Sequence, residues 1–201
     1  YRCIQTIPSQ LEYGLNQGNL TSLSADESRN CLITGNFVHG YSNFVTWEMK
    51  KNMNAVSQEY FGHKTPIVKI LWNSRDMELV SCDQHSIAVW NCFTGKQIFK
   101  FYVEEQIVDM CFDHHMRRIL VSFSSSKFVR VYNFYNGQCL KTLSNERSEK
   151  EIAHLSFVNL LSQREKIILG GTEEGIVLKW VDTEDIHEDI MLRYEKSAFS
   201  V

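Results

Sequence analysis

Apolar residues along this chain fall in short runs, separated by clusters of Gly, Asn, Asp and Ser, and no segment sustains a helical period. The clearest passage is GHKTPIVKILWNSRDMELVSCDQHSIAVWN, from Gly62 to Asn91. An apolar run from Ile67 to Trp72 is followed by a polar turn, Asn73 to Asp76, and by a second apolar run, Leu79 to Cys82. A second turn carries Asp83, and the alternating stretch Ser86-Ile87-Ala88-Val89-Trp90 closes the passage. Three short strands with tight turns between them are predicted, and the chain as a whole reads as all-β.

The same order recurs. Aligning on the aromatic that ends each third strand gives Trp47, Trp90, Tyr132 and Trp180, spaced by 43, 42 and 48 residues. Four units follow, over residues 19–61, 62–102, 103–143 and 150–195. Strands are expected near 20–24, 31–34, 44–47 and 56–61 in the first unit, with 96–102 completing the second. The third has strands near 107–112, 119–123, 128–132 and 138–143, and the fourth near 152–157, 166–169, 176–180 and 190–194. The opening YRCIQTI resembles GQCLKTL at 137–143, so residues 1–7 read as the last strand of a preceding unit and 8–18 as a connection. In the first unit, Gly35 to Asn43 reads as an enlarged loop carrying Phe37, His39 and Tyr41. It is either a tolerated surface insertion or a partner-binding loop.

Composition narrows the classes. Hydrophobic residues make up 43% and charged residues 22%, ordinary for a globular chain with a substantial core. The net charge of -3 argues against nucleic acid as the main partner, because phosphate binding needs a concentrated basic face. No apolar run approaches the roughly 18 residues of a membrane helix. Cys3, Cys31, Cys82, Cys92, Cys111 and Cys139 form no CxxC pair, which favours buried reduced thiols of a cytosolic protein over disulfides or a metal site. Tyr1 is not an initiator Met and no signal peptide is visible, so the chain reads as a piece of a longer one.

Sites for chemistry are scarce. His114 and His115 are adjacent and lack a third ligand at metal spacing, so they read as solvated turn residues. The acidic run from Asp182 to Asp189 lacks the glycine of a calcium loop and reads as solvated. No phosphate-binding Gly loop, GxSxG elbow or HExxH is present. Catalytic residues, metal and cofactors are therefore expected to be none.

The Gly-His, three-strand, Trp-Asn unit resembles a WD40 repeat. The resemblance extends over the whole chain, with one good unit and three degenerate ones. It implies a WD40 β-propeller: an arc of about four blades plus a leading outer strand, part of a larger, seven-bladed ring. It also implies a buried hydrogen-bond chain of His63, Ser81, Asp83 and Trp90, with Gln84 as an alternative to Asp83, which stands one residue further from the Trp than the pattern asks. Trp47, Tyr132 and Trp180 are then packing aromatics, not a stacking ladder for sugars or bases.

A narrower resemblance rests on PIVKILWN, FDHHMRRILVSF, VRVYNFYNGQCLKTL and EIAHLSFVNLLSQREKIILGG. These are similar to the large double-propeller WD-repeat proteins of cilia and sperm flagella, including the one encoded on the fly Y chromosome. The resemblance implies a non-enzymatic scaffold in the axoneme, with axonemal or cytoskeletal protein partners, in the cytoplasm or cilium. Neither membrane nor small-molecule substrate is expected. The alternative is a WD40 adaptor in another cytosolic complex, such as a ubiquitin-ligase substrate receptor or a trafficking coat.

Overall fold

The computed structural model describes residues 19–26, 31–38, 41–48, 60–144, 150–160 and 165–182. Among these, every regular element is a β-strand. The first sheet holds β1 (Asn19–Asp26), β2 (Cys31–Val38), β3 (Tyr41–Glu48) and β4 (Tyr60–His63). The second holds β5 (Lys69–Asn73), β6 (Glu78–Cys82), β7 (Ser86–Asn91) and β8 (Gln97–Tyr102). The third holds β9 (Ile107–Phe112), β10 (Arg118–Phe123), β11 (Val129–Asn133) and β12 (Cys139–Leu143). The fourth holds β13 (His154–Leu160), β14 (Glu165–Gly171) and β15 (Val177–Val181). Strand order follows chain order in every sheet, and the ladders are antiparallel. The chain divides into two compact units, Tyr1–Ile98 and Phe99–Val201.

Burial explains the choice of residues. The second and third strands of the second and third sheets, β6, β7, β10 and β11, are almost wholly buried and are rich in Val, Ile and Leu. The fourth strands, β8 and β12, have no buried residue, are a mixture of half-buried and exposed positions, and carry Gln, Lys and Thr. Within the first unit, Ile33 of β2 packs with Ile67, Ile70, Leu79, Ala88 and Trp90 of the second sheet. Gly35 lies in the same contact, where a Cβ would stand 3.0 Å from Ile70 Cδ1. Within the second unit, Leu120, Val129 and Val131 pack with Ile152, Leu155 and Ile168. Leu178 and Trp180 turn from β15 into this second core, while Val177 and Val181 face the other way, 71% and 54% exposed.

The turns are built by side-chain oxygens. Asn91 Oδ1 accepts from the backbone N–H groups of Phe93 and Thr94, and Gly95 follows at φ 67°. Asn133 repeats the device: its Oδ1 accepts from Tyr135 N–H, with Gly137 at φ 73°. On the preceding hairpins, Met77 and Met116 take positive φ, 59° and 54°.

Three expectations need correction. The stretch from Gly35 to Asn43 is not an enlarged loop: β2 and β3 remain paired out to Val38↔Tyr41, leaving residues 39–40 between them. Gly35, Asn36 and Asn43 read as loop formers, yet the Phe, Val and Tyr interleaved with them sustain the ladder. Second, Gly62 and His63 close β4 of the first sheet, Ser42 pairing with His63, and do not open the second sheet. Third, Asp182 is buried and ion-paired, not part of a solvated run. Residues 1–18 and 183–201, His39, and most of the connection from Ser144 to Glu151, which reads in sequence as a polar rim beside the partner site, lie outside the described residues.

Candidate functional site

The polar chain that converges on Trp90 is assembled from both sheets of the first unit. β4 delivers His63, the middle strand β6 carries Ser81, and the turn after it carries Asp83 and leads to Ser86. Trp90 stands near the end of β7. The indole Nε1–H of Trp90 donates to Ser81 Oγ at 2.8 Å. Ser81 Oγ in turn lies 2.7 Å from His63 Nε2. On its other side the imidazole sets Nδ1 3.1 Å from Asp83 Oδ2 and 3.2 Å from Ser86 Oγ. Ser86 O–H donates to Asp83 Oδ1 at 2.6 Å. The Asp83 carboxylate can only accept, so the ring proton that faces it sits on Nδ1; in the neutral ring Nε2 is then the acceptor for the Ser81 hydroxyl.

All five groups are buried, so each bond is made where an unmade one would be costly. Asp83 Oδ1 also accepts from the backbone N–H groups of His85 and Ser86, which fixes the turn. Burial pushes the Asp83 carboxyl up, but the hydrogen bonds from His63 and Ser86 outweigh it and hold the group below the usual carboxylate range. Asp83, and not Gln84, therefore holds the acidic place. The His63 and Trp90 rings are 6.2 Å apart, completing a packed cluster.

Among the described residues of the third and fourth sheets this chain is not repeated. Tyr132 takes the aromatic place in the third sheet, buried against Phe101 with centroids 5.5 Å apart. Ser122 sits at the middle-strand position and its Oγ reaches the carbonyl of Asp109, 3.5 Å away. In the fourth, the Trp180 indole N–H donates to the backbone carbonyl of Ser144 at 3.0 Å. Thr172 makes the turn that Asp83 makes earlier, its Oγ1 accepting from Ile176 N–H. Trp47 lies on β3 opposite Leu32, and Phe37 and Tyr41 lie on β2 and β3 near the hairpin end. His39 is outside the described residues.

Sequence reading missed four polar residues. Ser86 had a legible signal, since a Ser three positions after an Asp is the spacing of a turn closed by side chains. Asp109, Arg118 and Asp182 gave none. Asp109 Oδ2 accepts from Leu155 N–H of the fourth sheet at 2.8 Å, and Arg118 meets Asp182 across 64 residues. His114 and His115 are exposed in their turn, ring to ring at 5.0 Å. Cys82 is buried, Cys92 and Cys111 are half-buried and Cys139 is exposed, all as free thiols. Among the described residues there is no group of three or more His, Cys, Asp or Glu that could hold a metal ion. No helix among them is long and apolar enough to cross a membrane.

The folded shape has relatives. The C-terminal WD40 domain of Sif2 matches with a TM-score of 0.64, covering 84% of this chain and 47% of that one at 16% identity. The fold is that of WD40 propeller blades. In sequence, the chain is 24% identical over 126 residues to the COMPASS component SWD3 of Saccharomyces cerevisiae. That match takes in 60% of this chain and 40% of the yeast protein. This chain therefore spans less than half of each of these two proteins. No protein-family model matches the chain. With the fold placed, the four sheets are propeller blades, and the Trp90 chain pins the outer strand of one blade to the middle strands of the next.

Proposed function

We propose that this segment belongs to a non-enzymatic protein-interaction scaffold, a structural component of a ciliary or flagellar axoneme. What carries the non-enzymatic reading is the Trp90 chain. His63, Asp83 and the two serines are the residue types that catalysis would use, yet they are buried and bonded to one another. Their chemistry fixes the shape of the blades and leaves recognition to the loops and hairpin ends. Phe37 and Tyr41, close to the hairpin end of the first blade, are the proposed anchors for a protein partner, with His39 between them. Tyr and Phe offer large contact area at little entropic cost. The axonemal assignment rests on the sequence phrases quoted above. The proposed location is the cytoplasm and the cilium, with no nucleic acid, membrane, cofactor or small-molecule substrate.

Affinity capture of the full-length protein from ciliated and unciliated cells, with cross-linked partners identified by mass spectrometry, tests the reading. Axonemal proteins recovered only from ciliated cells support it. An equal set of partners from both cell types supports the second reading, an adaptor in another cytosolic assembly. The match to a protein named as a COMPASS component favours keeping that second reading.

A further inference from the structure

The third and fourth blades are joined by a buried ionic cluster. Arg118, at the start of β10, is 2% exposed and holds two acids. Its Nε–H donates to Asp113 Oδ2 at 3.1 Å, and its two terminal nitrogens donate to Asp182, Nη1 to Oδ1 at 3.2 Å and Nη2 to Oδ2 at 2.5 Å. Lys141 of β12 reaches the same Asp182 Oδ1 at 3.1 Å. Two cations and two carboxylates are thus balanced within the cluster. The guanidinium is also pre-set: Asp113 Oδ1 accepts from the backbone N–H groups of Arg117 and Arg118, fixing the turn from which the side chain projects. A forked guanidinium meeting a carboxylate at both oxygens gives direction as well as attraction.

Asp182 is the junction. Its backbone N–H donates to the carbonyl of Lys166 in β14 of its own blade, while its carboxylate is held by β10 and β12 of the neighbouring blade. At the other end of the same pair of blades, Asp109 Oδ2 accepts from Leu155 N–H and Glu151 Oε2 from Ser125 N–H, each at 2.8 Å. The apolar cluster of Leu120, Val131 and Ile168 lies in the same blade pair. We propose that the Asp113–Arg118–Asp182–Lys141 cluster is a latch that keeps the fourth blade seated on the third, so that breaking it lets the fourth blade open as one piece. A buried ion pair suits this role. It adds little over apolar packing when intact, but removing one partner leaves an uncompensated buried charge.

Hydrogen–deuterium exchange on the full-length protein tests the latch. In Asp182→Asn, amides of β13, β14 and β15 are expected to exchange at least tenfold faster, while those of β5, β6 and β7 keep their rates. Lys141→Met, which leaves the Arg118 fork intact, should accelerate the same amides by a smaller factor. Should Asp182→Asn fail to fold, the double variant Arg118→Met with Asp182→Leu removes the fork at both ends, leaves Asp113 held by the backbone N–H groups of Arg117 and Arg118, and should restore slow exchange. Equal acceleration across all blades, unchanged exchange in the fourth blade, or a double variant no better than Asp182→Asn would each overturn the proposal.

Discussion

Gly62 lies directly against the indole of Trp90: a Cβ built on the glycine would stand 2.4 Å from Cη2 of the ring. The Gly of the Gly-His pair and the Trp of the Trp-Asn pair, 28 positions apart in sequence, are therefore one packing decision. Gly62→Ala should destabilise the protein by roughly 1–3 kcal/mol, the usual cost of forcing extra volume into a packed site. Equilibrium denaturation of the full-length protein checks this, and unchanged stability would mean the ring can move aside.

Removing the ring itself should cost more. Trp90→Ala is expected to lose roughly 3–5 kcal/mol, because a large buried side chain is deleted and Ser81 loses its donor. His63→Ala should cost about 1–3 kcal/mol through the buried partners it abandons. Both variants should leave partner binding intact once the protein is folded. Normal stability combined with lost binding in either variant would assign that residue to recognition.

Acid should loosen the same site in a definite direction. The Asp83 carboxyl is held below its unfolded value, so its contribution to stability is fully present above about pH 4, near the unfolded carboxylate value. That contribution declines as the pH falls below this point toward the folded value. The stability gap between the protein and Asp83→Asn should therefore be full at pH 6 and shrink steadily on acidification. A gap that stayed constant down to pH 3 would contradict the assignment.

How much of this was readable beforehand depends on the range of each interaction. The blade aromatics follow from the spacing between repeats, and His63, Ser81, Asp83 and Trp90 from the resemblance of one unit to a WD40 repeat. All four of the latter lie within one repeat length, and repeat periodicity is visible in a single sequence. Arg118 and Asp182 are different. An Arg opening an apolar strand looks like an edge charge, and an Asp heading an acidic run looks solvated, until folding brings them together. The misread of Gly35 to Asn43 came from weighing Gly and Asn as breakers when the aromatic and β-branched residues between them keep the ladder.

That ladder reshapes the partner-binding prediction. Phe37 and Tyr41 belong to paired strands, so replacing both by Ser tests a hairpin, not a loose loop. If they anchor a partner, the double variant should weaken binding at least tenfold while the melting temperature stays within a degree or two. A fall in melting temperature with normal binding would make them supports of the hairpin.

Met77 and Met116 carry a practical consequence. Both sit in the left-handed region, where a side chain with a Cβ is strained and where Gly or Asn is at ease. Both turns are closed by a side-chain oxygen at the strand end. Asn73 Oδ1 accepts from the N–H groups of Arg75 and Asp76, and Asp113 Oδ1 from those of Arg117 and Arg118, so the strained methionines are held in place by their neighbours. These two hairpins are therefore where an engineer seeking a more heat-tolerant protein should begin, with Gly or Asn at each position and no other part of the blade disturbed.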